Sequence, residues 1–383
     1  MNAPPSLVCR ELRLRQFRNF PELELIFPPA GAAVIGPNGS GKTNLLEALY
    51  YLEIFSSFRG APDAQLVRFG EEAFHIRGRF ETPDGEELEV TAAYESRRRK
   101  KRVTVNGAEP ERLSDALGRI GAVVFSPSDV TLISGPPSER RRFLDIVLSL
   151  NVRGYLPAVQ KYRKTLKQRN ALLKEGARPA SLEPWTVALA EAGGAVMKAR
   201  AGWVAEHAAG FSERYQRIGG EAPARMTYEP SLRAGDAPPA GAEAEAFGEA
   251  LRETLDRLRE RERERGVTLR GPHRDDLGFA RVDDGSDRDL RDFGSGGQQR
   301  TAAVALRFME AVMVRAAKRR APIILLDDIF AELDPGRSER VLELLDHEPG
   351  QAILTAPKPS DVEVRRGGLQ RWRIAAGKVM TAA

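Results

Sequence analysis

One segment constrains this 383-residue chain more than any other. An apolar run, Ala32 to Ile35, leads into Gly36-Pro37-Asn38-Gly39-Ser40-Gly41, then Lys42-Thr43-Asn44, with Leu45, Leu46, Leu49 and Leu52 following at helical spacing. The apolar run predicts a short buried strand and the leucines predict a helix, so the loop is a tight strand-to-helix connection. Gly36, Gly39 and Gly41 let the backbone turn sharply, and successive N–H groups then face the same point as the helix N-terminus. A phosphate group satisfies those donors. Lys42 reaches the β- and γ-phosphates of a nucleotide and Thr43 offers its hydroxyl to Mg²⁺. Residues 36 to 44 therefore predict an α/β fold that binds ATP.

Magnesium bound beside such a loop needs a carboxylate. Ile323, Ile324, Leu325 and Leu326 read as a strand buried on both faces, and Asp327-Asp328 stand at its end. Asp327 is expected to hold Mg²⁺ through its water shell and Asp328 to position or activate the attacking water. Lys42, Asp327 and Asp328 form the expected catalytic set, and Thr43 and Asp327 the expected metal set.

Ahead of the carboxylates comes Phe293-Gly294-Ser295-Gly296-Gly297-Gln298-Gln299-Arg300, followed by apolar residues at 302, 305, 306, 309, 313 and 316 that predict a helix of about twenty residues. Gly294 to Gln298 resembles the signature motif of ABC-type ATPases. The resemblance implies that Ser295, Gly296, Gly297 and Gln298 cap the γ-phosphate of ATP held by a second copy, so that ATP joins two heads and hydrolysis separates them. Ala331-Glu332-Leu333-Asp334 resembles the D-loop of the same ATPases. Asp328 is one methylene shorter than the glutamate that most ABC cassettes carry, so slow turnover is expected. No Q-loop glutamine can be placed. After the next strand, Gln351 to Leu354, the chain has Thr355-Ala356-Pro357 where a switch histidine would stand, which counts against a transporter cassette.

The remainder organises around these motifs. Glu71 to Phe80, Glu87 to Ser96 and Arg102 to Val105 read as strands of an antiparallel sheet beside the phosphate loop, with a hairpin turn at Asp84-Gly85. From about 138 to 265 the pattern is helical. Val159, Tyr162, Leu166, Asn170 and Leu173 mark one face, Leu251, Leu255 and Leu258 another, and residues 219 to 247 read as a loop. The predicted boundaries give a head of 1–125 plus 267–383 and an inserted, mainly helical lobe of 126–266. The insert is too short for a long coiled-coil arm and has no CxxC hook. Net charge is +5, which suits a polyanionic partner. Basic clusters at Arg97 to Arg102, at Arg140 to Arg142, and at Lys161, Arg163, Lys164, Lys167 and Arg169 are candidate DNA contacts, while the alternating run Arg259 to Arg265 reads as a solvated helix. The single cysteine, Cys9, excludes an internal disulfide. No apolar run approaches the ~18 residues of a membrane span, and the start lacks a signal-peptide pattern, so no membrane partner is expected.

Further motifs resemble those of the bacterial RecF family: Phe17-Arg18-Asn19-Phe20, Pro127-Ser128-Asp129, Gly135-Pro136, Arg140-Arg141-Arg142-Phe143-Leu144-Asp145, Gly271-Pro272-His273-Arg274-Asp275-Asp276, and Leu326-Asp327-Asp328 leading to Glu332-Leu333-Asp334. Ser128 departs from the acidic residue more usual there. The resemblance implies an ABC/SMC-like head, with a mixed and an antiparallel sheet and an inserted helical lobe, and adds Arg18 to the nucleotide contacts. It further implies a weak, DNA-stimulated ATPase of the bacterial cytoplasm and nucleoid, acting in replication, recombinational repair and the SOS response. Such a protein forms an ATP-dependent homodimer that clamps duplex DNA near single-strand gaps and supports RecA loading with RecR and RecO. For His273 and Arg274 two readings stand, a chain-return loop and a site near nucleotide. Two rival functions also stand: a nucleotide-binding subunit of an ABC transporter, and a DNA scaffold that binds ATP without functional turnover.

Overall fold

The computed structural model describes residues 6–220, 222–233, 235–283, 286–359, 369–375 and 377–381. The N-terminal part forms β1 (Val8–Phe17), β2 (Phe20–Ile26), β3 (Gly31–Ile35), α1 (Lys42–Ile54), β4 (Ala73–Glu81), β5 (Glu87–Glu95), β6 (Lys100–Val105), α2 (Leu113–Ala116) and β7 (Ala122–Phe125). The middle follows with α3 (Thr131–Ser134), α4 (Pro137–Asn151), α5 (Tyr155–Lys174), α6 (Pro179–Gly219), β8 (Ala224–Glu229), α7 (Ala244–Arg265), β9 (Asp276–Asp283), β10 (Ser286–Asp289) and α8 (Leu290–Phe293). The C-terminal part adds α9 (Gly296–Lys318), β11 (Ile323–Leu326), α10 (Pro335–His347), β12 (Ala352–Ala356), β13 (Gln370–Ala375) and β14 (Lys378–Thr381). Two compact units result, one of residues 1–129 with 306–383 and one of 130–305.

The first unit holds two sheets. A six-stranded sheet runs β14-β13-β3-β12-β11-β7, parallel except for β14. Its central strands are apolar without alternation because both faces are covered. The second sheet, β2-β1-β4-β5-β6, is antiparallel and alternates, burying Leu12, Leu14 and Phe17 of β1 while Arg13 and Arg15 face solvent. Gly85, at φ 80°, makes the β4–β5 turn as expected from Asp84-Gly85. Helix α1 is buried almost all round, with Leu45, Leu46, Leu49, Tyr51 and Leu52 in a core shared by strands of both sheets.

The second unit packs α4 to α7 with a three-stranded sheet, β10-β9-β8. Pairing between β8 and β9 brings Ala224 opposite Arg281 and Glu229 opposite Asp276. A strand therefore occupies part of the stretch read as loop, 219 to 247, of which 221 and 234 lie outside the described residues. The same pairing keeps residues 267 to 305 with the middle of the chain, so the contact division falls at 305/306, where the pattern change in sequence had suggested 266/267.

Buried ion pairs hold this unit together and correct the surface reading of its arginines. Arg140, 1% exposed, donates from Nε and Nη2 to Asp276 at 2.6 and 2.8 Å. Arg169, also buried, donates to Glu262 at 2.7 Å and to the hydroxyls of Thr186 and Thr268. Glu262 is fully buried, so the alternating run Arg259 to Arg265 is not solvated throughout. Arg200 joins Asp145 and Asp275, and Asp275 also accepts from the Ser231 N–H and the Tyr228 hydroxyl. Arg141 donates to the Asp275 carbonyl at 2.7 Å. Charges removed from water in this way must be paired, and here each has a partner distant in sequence. No helix among the described residues is long and apolar enough to cross a membrane.

Candidate nucleotide site

Four neighbouring strands of the mixed sheet, β3, β12, β11 and β7, end on the same side, and ligands in open α/β sheets sit beyond such carboxyl ends. A cavity of about 410 Å³ lies there, lined by Asn38, Gly39, Gly41, Lys42, Thr43, Asn44, Arg59, Pro127, Asp328, Ala331, Glu332 and Pro357. The loop between β3 and α1 turns through Gly39 at φ 77° and Gly41 at φ 109°. A Cβ on Gly41 would meet the Asn19 amide nitrogen at 2.5 Å, so glycine is required for both space and conformation. Asn19 itself donates to the Ser40 carbonyl at 3.2 Å and accepts from Asn44 at 2.8 Å. Residues 17 to 20 thus brace the loop from beneath.

The charged groups converge closely. Lys42 is buried, and its Nζ donates to the carbonyls of Gly36 and Pro37 at 2.8 and 3.3 Å and lies 3.3 Å from Asp328 Oδ2. Thr43 Oγ1 donates to Asp327 Oδ1 at 2.9 Å, and Thr355 Oγ1 lies 3.0 Å from the same oxygen. Burial raises the Asp327 carboxyl to about 6, against the hydroxyl bond from Thr43, which lowers it. Asp328 adopts the left-handed region at φ 45°, and its Oδ1 is buried with no hydrogen-bond partner among the described residues. Ser40 Oγ is orphaned in the same way. Orphaned polar atoms, a buried ammonium and a paired hydroxyl and carboxylate are the donor set that a magnesium nucleotide would satisfy.

The structure gathers Asn38, Gly39, Gly41, Lys42, Thr43, Asn44 and Asp328 on the cavity wall, with Asp327 behind Thr43 and Gly36 and Pro37 supplying carbonyls to Lys42. Arg18 is elsewhere engaged. Its Nε and Nη2 donate to Glu47 at 2.8 and 2.9 Å, and it is absent from the wall. Arg59 does line the cavity, with Nη1 3.4 Å from Asn44 Oδ1. Sequence reading passed over it because a lone arginine in a loop carries no periodic signal. Pro127, after β7, also lines the cavity. Ala331 and Glu332 line the wall, whereas Asp334 caps α10 by accepting from the Arg337 N–H at 3.0 Å.

Ser295 to Gln298 belong to the second unit. There Ser295 N–H donates to Gln298 Oε1 at 2.9 Å and Gln298 N–H to Ser295 Oγ at 3.2 Å. This reciprocal pair is a capping box, legible in the spacing Ser-x-x-Gln, and it leaves the exposed start of α9 facing solvent. His273 is also in the second unit, with Nδ1 2.6 Å from the Tyr162 hydroxyl and Nε2 3.2 Å from the Thr268 carbonyl. Burial lowers it to about 4, which keeps it neutral. His273 is thus held among residues of the second unit.

Sheet order, phosphate loop and paired carboxylates together define a P-loop ATPase head. The model of the RecF/RecN/SMC N-terminal domain matches residues 8–366. The DNA replication and repair protein RecF of Halalkalibacterium halodurans is 37% identical over 350 residues, covering 90% of this chain and 91% of that one. The solved recombination mediator protein RecF-ATP of the RecFOR pathway superposes with a TM-score of 0.88 at 30% identity, covering 100% of this chain and 99% of that one. The Smc head domain of Pyrococcus furiosus, at 16% identity and a TM-score of 0.56 over 98% of this chain and 96% of its own, shares the fold. This chain belongs to the RecF family.

Proposed function

We propose that this protein binds Mg-ATP between Lys42, Thr43 and Asp327, hydrolyses it slowly, and uses the cycle to clamp and release duplex DNA near single-strand gaps in recombinational repair. The observation that carries the reading is the convergence of Lys42, Thr43, Asp327 and Asp328 within 3.3 Å contacts at the carboxyl ends of β3 and β11. Lys42 would exchange its carbonyl partners for phosphate oxygens, Thr43 and, through the water shell, Asp327 would hold Mg²⁺, and Asp328 would orient the attacking water. Magnesium, when bound, neutralises charge on the phosphates. The exposed, boxed start of α9 suits a γ-phosphate presented by a second copy, giving an ATP-dependent homodimer. The RecFOR pathway named for a solved relative supports RecR and RecO as partners, and the proposed activity places the protein in the cytoplasm with the nucleoid.

DNA contact rests on the cationic residues that remain at the surface. Arg97 and Arg98, 76% and 77% exposed, sit with Lys100 at the β5–β6 hairpin, and Lys161, Arg163, Lys164 and Lys167 lie on exposed positions of α5. Such contacts read phosphates and are insensitive to base sequence. The test is duplex-DNA binding with ATP across a salt series, in wild type and in Asp328→Asn. Affinity that falls steeply with salt, and a variant complex that outlives the wild-type one, are expected. Affinity indifferent to salt, or equal lifetimes, would overturn the reading.

A further inference from the structure

We infer that Thr355 is a positioning residue for phosphoryl transfer, its single hydroxyl fixing both carboxylate residues at the end of β11. This deepens the ATPase reading and rests on it. Thr355 is 1% exposed and lies on β12, one step past the last β11–β12 pair, Leu326 opposite Leu354. Its Oγ1 accepts the Asp328 N–H at 3.0 Å and stands 3.0 Å from Asp327 Oδ1, against 3.4 Å from the Leu326 carbonyl. Having one proton to give, the hydroxyl gives it to the nearer, anionic oxygen.

The consequence is a continuous chain from β12 through Asp327 to Thr43 at the start of α1, because Asp327 Oδ1 also accepts the Thr43 hydroxyl. With its proton committed to Asp327, Thr43 presents a lone pair outward, the orientation a magnesium ligand needs. On the other side the same hydroxyl holds the Asp328 amide. Asp328 sits at φ 45° and ψ 23°, a region that a residue with a side chain keeps only when its surroundings fix it. Strand architecture does not require the hydroxyl. Valine has the same branching and volume and a strand preference at least equal to that of threonine, and the pairing of residue 355 opposite Val34 of β3 uses the backbone, which valine shares. The threonine is therefore explained by what its oxygen touches. It occupies the place where the sequence lacks a switch histidine.

The experiment compares wild type, Thr355→Val and Thr355→Ser in full-length protein. A fluorescent ATP analogue is titrated with EDTA and then with increasing Mg²⁺, and ATP turnover and thermal midpoints are measured alongside. Outer contacts to a metal ligand typically carry roughly ten- to a hundred-fold in metal affinity or activity. The expected result is that Thr355→Val binds the analogue as wild type does in EDTA, needs roughly ten-fold or more Mg²⁺ for half-saturation, and loses turnover by a similar factor at unchanged KM for ATP, while Thr355→Ser restores both the Mg²⁺ requirement and turnover. A valine variant equal to wild type in Mg²⁺ requirement and turnover overturns the inference. So does a serine variant that fails as valine does with a matching loss of thermal midpoint, since packing would then be the cause. Wild type that binds no analogue under any condition overturns the ATPase reading itself.

Discussion

At the scale of single residues, the charged side chains divide into those that converge at the phosphate loop and those that pair inside the second unit. Lys42 and Thr43 follow from the glycines that precede them, and Asp327-Asp328 from the apolar strand before them. Arg140 and Arg169 look like surface charge in sequence, yet their carboxylate partners, Asp276 and Glu262, stand 136 and 93 residues away. No local pattern announces such a pair. Removing one member of a buried pair strands the other in a poorly solvated place and costs about 3–5 kcal/mol. Arg140→Ala is accordingly expected to lower the unfolding free energy by that amount, read as a fall in the urea midpoint at an unchanged m-value, and a change below about 1 kcal/mol, the range of exposed pairs, would show that Arg140 is effectively solvated.

Among elements, the strands before the phosphate loop and the carboxylates were readable because a strand covered on both faces must be apolar throughout. Strand β8 was not. Its residues alternate within a stretch rich in Ala, Pro and Gly, and its pairing partner β9 comes after the whole of α7. Helix α1 carries a further consequence. Glu53, near its end and 1% exposed, accepts the Ile120 and Gly121 N–H groups at 3.1 and 2.9 Å and so anchors the entry to β7. Burial raises its carboxyl to about 7, against Lys318 and those two amides, which lower it. The native pKa lies above the usual 4.5, so between the two values the folded chain keeps a proton that the unfolded chain has lost. The group's contribution is whole below 4.5 and is lost as pH rises through 7, on the order of 3 kcal/mol in total. Glu53→Gln, neutral throughout, is expected to unfold at the wild-type temperature near pH 4.5 and above it at pH 8. A difference that does not change with pH would remove the proton from the account.

For the whole molecule, the sequence motifs fall into two groups that the fold keeps distinct. The phosphate loop, the carboxylates and the Phe17-to-Phe20 brace build the cavity of the first unit, while Arg140 to Asp145 and Gly271 to Asp276 build the buried ion network of the second. That separation could not be read from spacing, since both groups are short charged or glycine-containing segments. The boxed start of α9, also in the second unit, remains exposed, and the proposed function requires it to meet the ATP of another copy. The most direct test is the mass in solution by light scattering without nucleotide, with Mg-ADP and with Mg-ATP, for wild type and Ser295→Arg. A dimer is expected with Mg-ATP alone, abolished by Ser295→Arg while nucleotide binding persists. A monomer in all three conditions at concentrations where ATP is bound, or a dimer indifferent to Ser295→Arg, would contradict it.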